Sequence, residues 1–497
     1  MPSEIQQILS RWDPSDTWIV ITAALAAMAC ALPGTYLVLR RQSMVGDALT
    51  HTVLPGIVAA FLFAHWLKSS GWIESHKNHA THTNAFDSTS YALMFVGAIV
   101  TGILTSLLTE WVQKLGRVES SAAIGVVYTT LFAIGLLMIR IAADSVHIDP
   151  DCVLYGNIET VFVFTVPDTL AESSLIYRYL GDIQSVHDIP RPALVSGLCL
   201  TVNGILLVLF FKELRISAFD PSLATTLGIN SHVMHYALMA VTAATAVASF
   251  ESVGNILVLA MLIVPPATAY LMTDKLTRLI LIALIVAAMS AVLGHVSALT
   301  LPPLVFGRLG FDTVDDASTS GMMAVASGLL FLLALLFGPQ HGIVSKLAQN
   351  NLLSLRIACE DILGMLYRLE EQDVTVGKIS AHKLAKGSRG ATLIWATFAV
   401  CWLRLNRKVD IVDSSYCLTE LGRESAKRLV RSHRLWESFL AKHFTLPNDH
   451  LHGSAERVEH FLDADVMDQL AAELDTPDYD PHGRTIPTQN EANPDYS

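Results

Sequence analysis

Charged residues are scarce in this chain of 497 residues. Only 16% are Asp, Glu, Lys or Arg, whereas 52% are hydrophobic. Soluble proteins carry about 25% charged residues, so the composition excludes an ordinary soluble protein and predicts a membrane protein. The net charge of −12 argues against non-specific binding to nucleic acid.

Motifs of two kinds are also missing. The six cysteines show no C-x-x-C spacing, so neither a zinc ribbon nor a disulfide framework is indicated. The sequence has no G-x-x-x-x-G-K-[ST] element and therefore no P-loop for ATP. The first apolar run, Trp18–Leu39, lacks the cleavage site of a signal peptide, so we expect it to stay as a helix.

Long apolar runs fill the first 340 residues. Each is near the roughly 20 residues that a bilayer core requires, and we predict spans at 18–39, 48–67, 91–112, 121–141, 193–211, 232–250, 253–273, 278–297 and 320–338. This gives nine transmembrane helices, with eight as the alternative. The segment 351–497 holds 17 of the 33 Lys and Arg and 22 of the 45 Asp and Glu. We therefore expect an all-α membrane domain at 1–340, a linker at 341–351 and a soluble domain beyond it.

The basic residues between the predicted spans indicate the orientation. They fall in alternate connections, which are cytoplasmic by the positive-inside rule: Arg40/Arg41, Lys114/Arg117, Lys212/Arg215 and Lys275/Arg278. The N-terminus is then outside and the C-terminal domain inside.

An ionisable pair stands where the second span begins. Asp47 and His51 are four residues apart, so one face of a helix carries both. The run Thr52–Trp66 that follows is almost wholly apolar, and ionisable groups in a membrane usually belong to a polar path. The pair indicates a path for a metal ion or a proton. The alternative is a capping Asp and an interfacial His at a helix start.

A short polar segment, Phe211–Ile229, separates two later spans. Asp220 before Pro221 predicts the cap of a small helix that lies between the spans. An importer with a separate ATPase needs such an element for docking, although any loop can contain a capped turn. An outer loop also collects His65, His76, His79 and His82, which could hold a metal weakly or form a solvated tract.

The soluble segment contains two clusters of metal-ligating residue types. His433 and Glu437 are spaced i, i+4, and Glu456, Glu459 and His460 are spaced i, i+3, i+4, so each set shares a helix face. Mixed carboxylates and imidazoles suit manganese or ferrous iron. The alternative is exposed helices that carry His and Glu by chance.

The membrane part resembles the permeases of ABC importers for zinc, manganese or iron. The matching motifs are Arg41-x-Ser43-x-x-x-Asp47-Ala48-x-x-His51-x-x-Leu54-Pro55-Gly56, Phe219-Asp220-Pro221 with Leu227-Gly228, and the run Glu251–Ala269. The resemblance implies that Asp47 and His51 line the translocation path and meet the metal. It also implies that Phe219, Asp220, Pro221, Leu227 and Gly228 couple to the motor.

In that family the permease is not an enzyme, and ATP hydrolysis belongs to a partner chain. The resemblance therefore implies an ATP-binding cassette ATPase, an extracytoplasmic metal-binding protein and a dimer of permeases. It also implies a bacterial-type inner membrane as the location, with membrane lipid around the spans. Zinc, manganese and iron are all possible substrates.

The tail, Asn351–Pro487, resembles the diphtheria-toxin-repressor family of metal-dependent regulators. Cys359–Tyr367 is similar to the first helix of that family, Leu418–Gly422 to the junction after the winged helix, and Val430–Pro487 to the dimerisation and metal-binding half. The resemblance implies a regulatory metal site and a second site, formed respectively by Asp361, Glu456, Glu459 and His460, and by His433, Glu437 and His452. Glu456, in place of Cys, resembles the manganese-responsive branch, which favours manganese or iron here. Gly364 stands where that branch usually has a further carboxylate.

The winged helix, at 352–425, departs from the family. Its recognition helix corresponds to Arg389–Leu405, which is apolar nearly all round and lacks the polar row that reads DNA. We expect this helix to be buried, to pack on a protein surface or to lie against the membrane, so DNA binding is doubtful. The metal-binding half follows at 426–487, and a disordered tail at 488–497.

Two functions of different class remain. The chain is the permease subunit of an ATP-driven metal importer with a cytoplasmic metal-sensing tail, or it is a membrane-tethered metal-dependent transcriptional repressor. The intact Asp47/His51 motif favours the first, and the apolar recognition helix weighs against the second.

Overall fold

The structure is a computed structural model that describes residues 12–69, 88–142, 158, 189–306, 317–372, 393–412, 415–444 and 448–487. The chain divides into two compact units, residues 1–345 and 346–497.

The described part of the first unit is helical. Its helices are α1 (Pro14–Leu39), α2 (Ser43–Ser69), α3 (Ser88–Gly116), α4 (Ser120–Ala142), α5 (Arg191–Leu209), α6 (Phe211–Phe219), α7 (Pro221–Thr226), α8 (Ser231–Val253), α9 (Asn255–Met272), α10 (Leu276–Phe306) and α11 (Thr319–Phe337). Helices dominate because a backbone in lipid must satisfy its own hydrogen bonds.

Each of the nine predicted spans coincides with one of these helices. Within the described residues, seven are long and apolar enough to cross a membrane: α1, α3, α4, α5, α8, α10 and α11. The predicted spans at 48–67 and 253–273 correspond to α2, which carries Asp47 and His51, and to α9, whose apolar part is the shorter Leu257–Met272. The predicted fold class, a polytopic helical membrane protein, is confirmed.

Small residues let the helices of the first unit approach closely. A Cβ added to Gly34 of α1 would lie 1.9 Å from the carbonyl oxygen of Leu262 in α9. A Cβ added to Gly56 of α2 would lie 2.5 Å from the carbonyl oxygen of Gly97 in α3. Because lipid tails are as apolar as Leu, close backbone packing of this kind drives membrane helices together. It fixes α2, and with it His51, against its neighbours.

The break between α8 and α9 places a polar residue in the core. Gly254 has φ 76°, in the left-handed region that glycine tolerates, and α9 begins at the next residue, Asn255. The side chain of Asn255 is buried, so the break places an amide inside the helical core.

The second unit contains α12 (Ile343–Glu371), which begins just before its boundary, and then α13 (Leu393–Leu405), a hairpin of β1 (Val409–Val412) and β2 (Ser415–Leu418), α14 (Glu420–His443), α15 (Asn448–Val458), a 3-10 turn (Glu459–Phe461) and α16 (Ala464–Glu473). The hairpin is antiparallel, with Val409 opposite Leu418 and Val412 opposite Ser415. The core joins Ile362 and Leu366 of α12 to Leu403 of α13.

The expected linker at 341–351 differs from the structure, because α12 is helical from Ile343 onward. The segment from Ile343 to Asn351 contains no Gly or Pro, so nothing in it interrupts the helix. The chain turns instead at Gly338 and Gly342, where a Cβ on Gly342 would lie 2.3 Å from the carbonyl oxygen of Gly338.

The apolar helix α13, which was expected to be buried, to pack on a protein surface or to lie against the membrane, is half buried within its own unit. Ala399, Val400 and Leu403 point into the core, whereas Phe398 and Trp402 are 62% and 54% exposed. The two faces are both apolar, so composition alone could not separate them.

Candidate metal sites

The first cluster in the second unit joins α14 to α15. The Nε2 atom of His433 lies 3.1 Å from Oε1 of Glu437 and 2.9 Å from Nδ1 of His452, and that nitrogen lies 2.9 Å from the same carboxylate oxygen. Ligand atoms about 2.1 Å from a shared ion lie roughly 3 to 4 Å apart, so this donor set fits one divalent cation. His433 and Glu437 are brought together by their i, i+4 spacing, and His452 by the packing of α15 on α14.

The second cluster joins α12 to the 3-10 turn. The Nε2 atom of His460 lies 3.2 Å from Oδ1 of Asp361 and 3.8 Å from Oε1 of Glu459. One ligand atom from each of the three residues lies within 4.8 Å of the others. Asp361 precedes Glu459 and His460 by 98 and 99 positions in sequence, so only the tertiary fold brings the three residues together.

Glu459 connects the clusters. One of its carboxylate oxygens, Oε2, accepts a hydrogen bond of 2.5 Å from Nδ1 of His433, and the other faces His460. Glu456 lies next to both clusters. Its Oε1 atom is 3.3 Å from Nε2 of His452 in the first cluster, and its side chain lines the same cavity as Asp361 and His460 of the second. The two clusters therefore form one continuous network of carboxylates and imidazoles.

The pKa values show how strongly the network is charge-paired. Burial raises the pKa of Glu437, but hydrogen bonds from His433 and His452 outweigh it and lower the value to about 2. Burial lowers the pKa of His460, but Asp361 and Glu360 outweigh it and raise the value to about 9. The pKa of His433 is raised in the same way by Glu437 and Glu459. Protons thus occupy nitrogens where a metal would bind, and metal and protons compete.

Two arginines border the network. Arg434, next to His433 and 2% exposed, donates to Oε1 of Glu371 at 3.0 Å and to the backbone oxygen of Thr485. It therefore ties the end of α12 to α14 and positions the two helices that carry Asp361 and His433. Arg368 places Nη2 3.7 Å from Oε2 of Glu459, where its positive charge opposes a bound cation.

In the first unit, His51 faces a mixed polar and aromatic surrounding. Its Nδ1 lies 3.0 Å from Nδ2 of Asn255, and its ring centroid lies 5.3 Å from Tyr128 and 5.4 Å from Phe132. The Oδ1 atom of Asn255 is buried with no hydrogen-bond partner among the described residues. Asp47 belongs to α2 one turn before His51, but its side chain lies outside the described part, as do the side chains of His65, His76, His79 and His82.

The segment between α5 and α8 has the predicted capped helix. Asp220 accepts hydrogen bonds of 3.0 Å from the backbone of Ser222 and Leu223 at the start of α7. The side-chain hydrogen bond from Ser222 and the backbone bond from Leu223 lower the pKa of Asp220. Phe219, Leu223 and Leu227 are exposed along this segment, and Gly228 has φ 83° and ends it.

Sequence reasoning missed three residues at these sites. Asn255 contacts His51; the only sequence signal was a polar residue after Gly254 at the start of an apolar helix. Glu360 places Oε2 2.7 Å from Nδ1 of His460. The resemblance to the repressor family indicates only its neighbour Asp361 as a ligand. Arg40, which the sequence marks only as a basic residue of a connection, donates a hydrogen bond of 2.8 Å to Oγ of Ser217 in α6, the helix that precedes α7.

Comparisons with known proteins assign the first unit. The model of the family described as "ABC 3 transport family" matches residues 16–178 and 173–338. The chain belongs to this family. The model described as "Iron dependent repressor, metal binding and dimerisation domain" matches residues 419–488. Both predicted resemblances are confirmed.

Three relatives of this permease are informative. It is 36% identical over 336 residues to the manganese transport system membrane protein MntD of Bacillus subtilis, covering 67% of this chain and 95% of that protein. It is 33% identical to the zinc transport system membrane protein TroD of Treponema pallidum, covering 72% and 83%. It is 22% identical over 472 residues to a probable metal transport system membrane protein of Chlamydia trachomatis, covering 94% and 95%. Because this last match covers 94% of the chain, it includes most of the tail.

Proposed function

We propose that the protein is the permease subunit of an ATP-driven importer of a divalent transition metal, and that its tail senses the metal that has entered. The observation that carries the proposal is the presence in one chain of a His site inside the helical core and a carboxylate and imidazole network in a repressor-like domain. Manganese, iron and zinc are the candidate substrates, because relatives are named for transport of each of them.

The transport site is formed by Asp47, His51 and Asn255. The amide of Asn255 lies within hydrogen-bond distance of Nδ1 of His51 and orients the imidazole, which binds metals in its neutral form. The Oδ1 of Asn255, buried and without a hydrogen-bond partner among the described residues, adds an oxygen that a partly dehydrated cation would satisfy, since an unpaired buried acceptor costs about 1–3 kcal/mol. Asp47, on the same helix face by spacing, would supply the negative charge.

The motor is a separate ATP-binding cassette ATPase that docks on the segment Phe219–Gly228. Its exposed apolar residues, Phe219, Leu223 and Leu227, supply the contact area, and the Asp220 cap keeps α7 in register. An extracytoplasmic metal-binding protein delivers the ion, and a second permease completes the dimer. The positive-inside rule, applied to the basic connections, supports a cytoplasmic location for this segment and for the tail, with the N-terminus outside.

The tail binds manganese or iron at two adjacent positions. The regulatory position uses Asp361, Glu456, Glu459 and His460, and the second uses His433, Glu437 and His452. Because Asp361 lies on α12 and the other ligands lie on α14, α15 and the turn, bound metal holds these elements in one arrangement. A coupling of about 1–3 kcal/mol between two arrangements changes an equilibrium roughly 5- to 150-fold.

Uptake of radiolabelled manganese tests the transport role. The permease, its ATPase and the metal-binding protein are reconstituted together, and wild type is compared with His51→Ala and with His232→Ala, an exposed histidine near the coupling segment. The account predicts ATP-dependent uptake in wild type and His232→Ala, and none in His51→Ala. Equal uptake by all three would refute the site.

The second candidate is a membrane-tethered repressor, favoured by the match of residues 419–488 to a repressor domain. Against it stands the outward face of α13, where Phe398, Trp402 and Leu405 occupy the place of polar base-reading residues.

A further inference from the structure

The exposed face of α13 is unusual for a soluble surface. Phe398, Trp402 and Leu405 are 62%, 54% and 78% exposed, and their spacing of four and three residues places them on one side of the helix. Leu352 of α12, 65% exposed, lines the same cleft as Trp402. These four residues form one apolar patch, which we call the α13 face. Soluble monomers rarely expose such patches without a partner.

Basic residues border the α13 face. Arg404 and Arg407 are exposed directly beside it, Lys408 follows, and residues 393–408 contain no Asp or Glu. In a protein with net charge −12, the C-terminal end of α13 is thus locally basic, although Glu360 of α12 lines the same cleft as Trp402. Trp and Phe with flanking Arg and Lys are the composition of helices that lie in a membrane interface, where anionic headgroups attract the cations.

The tail is tethered to the membrane unit by a short stretch of its own chain. Among the described helices, the last that is long and apolar enough to span, α11, ends at Phe337, and α12 begins at Ile343. Residues 338–342 therefore connect a membrane-spanning helix to the helix that leads into the second unit. Tethering makes the lipid surface the partner with the highest local concentration. A DNA duplex has no such advantage, and the four residues of the face include none of the Arg, Lys, Asn, Gln, Ser or Thr side chains that commonly read base edges.

We propose that the α13 face docks the tail on the anionic lipid surface of the membrane in which the permease is embedded. Phe398, Trp402 and Leu405 enter the interface, and Arg404 and Arg407 pair with lipid phosphates. The helix that resembles a DNA reader is in this protein a lipid-contacting helix. The inference does not depend on the identity of the transported metal.

Spin-label accessibility tests the docking on the full-length protein in proteoliposomes. Cys401 is exposed on α13, and Cys30 and Cys359 are buried, so replacing Cys152, Cys199 and Cys417 by Ser leaves one reactive site. The nitroxide is measured with oxygen, which concentrates in lipid, and with a water-soluble nickel chelate. Vesicles contain phosphatidylcholine alone or with phosphatidylglycerol added. A label at Ala472→Cys, exposed on α16, in a Cys401→Ser background is the matched control.

Docking predicts high oxygen and low nickel accessibility at Cys401, more so with phosphatidylglycerol, and the reverse at position 472. Phe398→Ser with Trp402→Ser should abolish the lipid signature, and Phe444→Ser, an equally exposed aromatic on the same unit, should not. Arg404→Gln with Arg407→Gln should remove only the dependence on phosphatidylglycerol.

Three results would overturn the proposal. Low accessibility to both reagents with spin–spin broadening would place a second copy on the face. Protection that appears only after duplex DNA is added would make α13 a DNA-binding helix. High nickel accessibility in every vesicle would leave the face in water.

Discussion

The two metal-binding regions proposed here have opposite chemical character. His51 lies among Asn255, Tyr128 and Phe132, with one carboxylate expected from the same helix, whereas the tail brings together five carboxylates and three imidazoles within one network. A transport site must bind an ion and then release it, so few ligands suit it. A sensor must hold the ion long enough to change its own structure, so more charged ligands suit it. The difference explains why one chain can carry both without the tail trapping the cargo in transit.

Removing the transport ligand should have the largest effect. His51→Ala is expected to lower ATP-driven uptake by more than the roughly 10- to 100-fold that loss of an outer-shell partner causes, because His51 is proposed to bind the ion directly. Asn255→Ala should reduce uptake less, within that range. Initial rates in vesicles measure both, and metal binding to the tail serves as the internal control. A larger loss for Asn255→Ala would reverse the roles assigned to the two residues.

Among the tail residues, Glu459 should have the largest effect on manganese binding, because it contacts both clusters. Glu459→Ala is expected to lower manganese affinity by about 100-fold or more and to lose both bound ions together. Titration of the full-length protein, followed by electron paramagnetic resonance of free manganese, measures the stoichiometry. Glu473→Ala, an exposed carboxylate on α16, is the control. Loss of only one ion would show that the clusters act separately.

Proton competition distinguishes the tail further. Since the pKa of His460 is raised to about 9, metal must displace its proton at pH 7, and affinity should rise up to about tenfold per pH unit until pH 9. The stability of the metal-free tail should instead fall as the pH rises. The paired, protonated His460 stabilises the fold fully below pH 6.5, and that stability is lost as pH rises through about 9. Calorimetry of metal binding in buffers of different ionisation enthalpy measures the protons released. Thermal unfolding of the metal-free protein at several pH values measures the loss of stability. A pH-independent affinity would contradict the charge pairing.

A substitution in the coupling segment Phe219–Gly228 should weaken binding of the ATPase moderately. Asp220→Ala removes the acceptor for two backbone amides of α7, so we expect the ATPase to co-purify several-fold less well while the permease still inserts. Asp274→Ala, an exposed acid on the connection between α9 and α10, should leave co-purification unchanged. Equal recovery of ATPase with both variants would exclude a docking role for α7.

The smallest effect is expected at Arg368. Its guanidinium lies near Glu459 and opposes a cation there, so Arg368→Gln should raise manganese affinity up to about fivefold, the equivalent of the roughly 1 kcal/mol typical of a partly exposed ion pair. The same titration reports it. Weaker binding would mean that Arg368 positions Glu459 for the metal instead of competing with it.

Local patterns predicted what is local in this molecule. The spans followed from apolar runs, the Asp220 cap from Asp-Pro, and the His433/Glu437 pair from a four-residue spacing. The second cluster, in contrast, required α12 to meet the 3-10 turn, and only the family resemblance brought Asp361 to His460. Asn255 depended on the break at Gly254, and the half-buried state of α13 depended on which of two apolar faces meets α12. These are tertiary facts that periodicity cannot contain.

Inhibition of uptake by internal metal tests the central claim most directly. Proteoliposomes with the permease, its ATPase and its metal-binding protein are loaded inside with manganese or left empty, with the tail on the inside, and initial uptake is measured for wild type and for Glu459→Ala with His460→Ala. The account predicts that internal manganese slows wild type several-fold and leaves the double variant at its unloaded rate. If internal manganese slows both equally, the tail does not regulate the transport path.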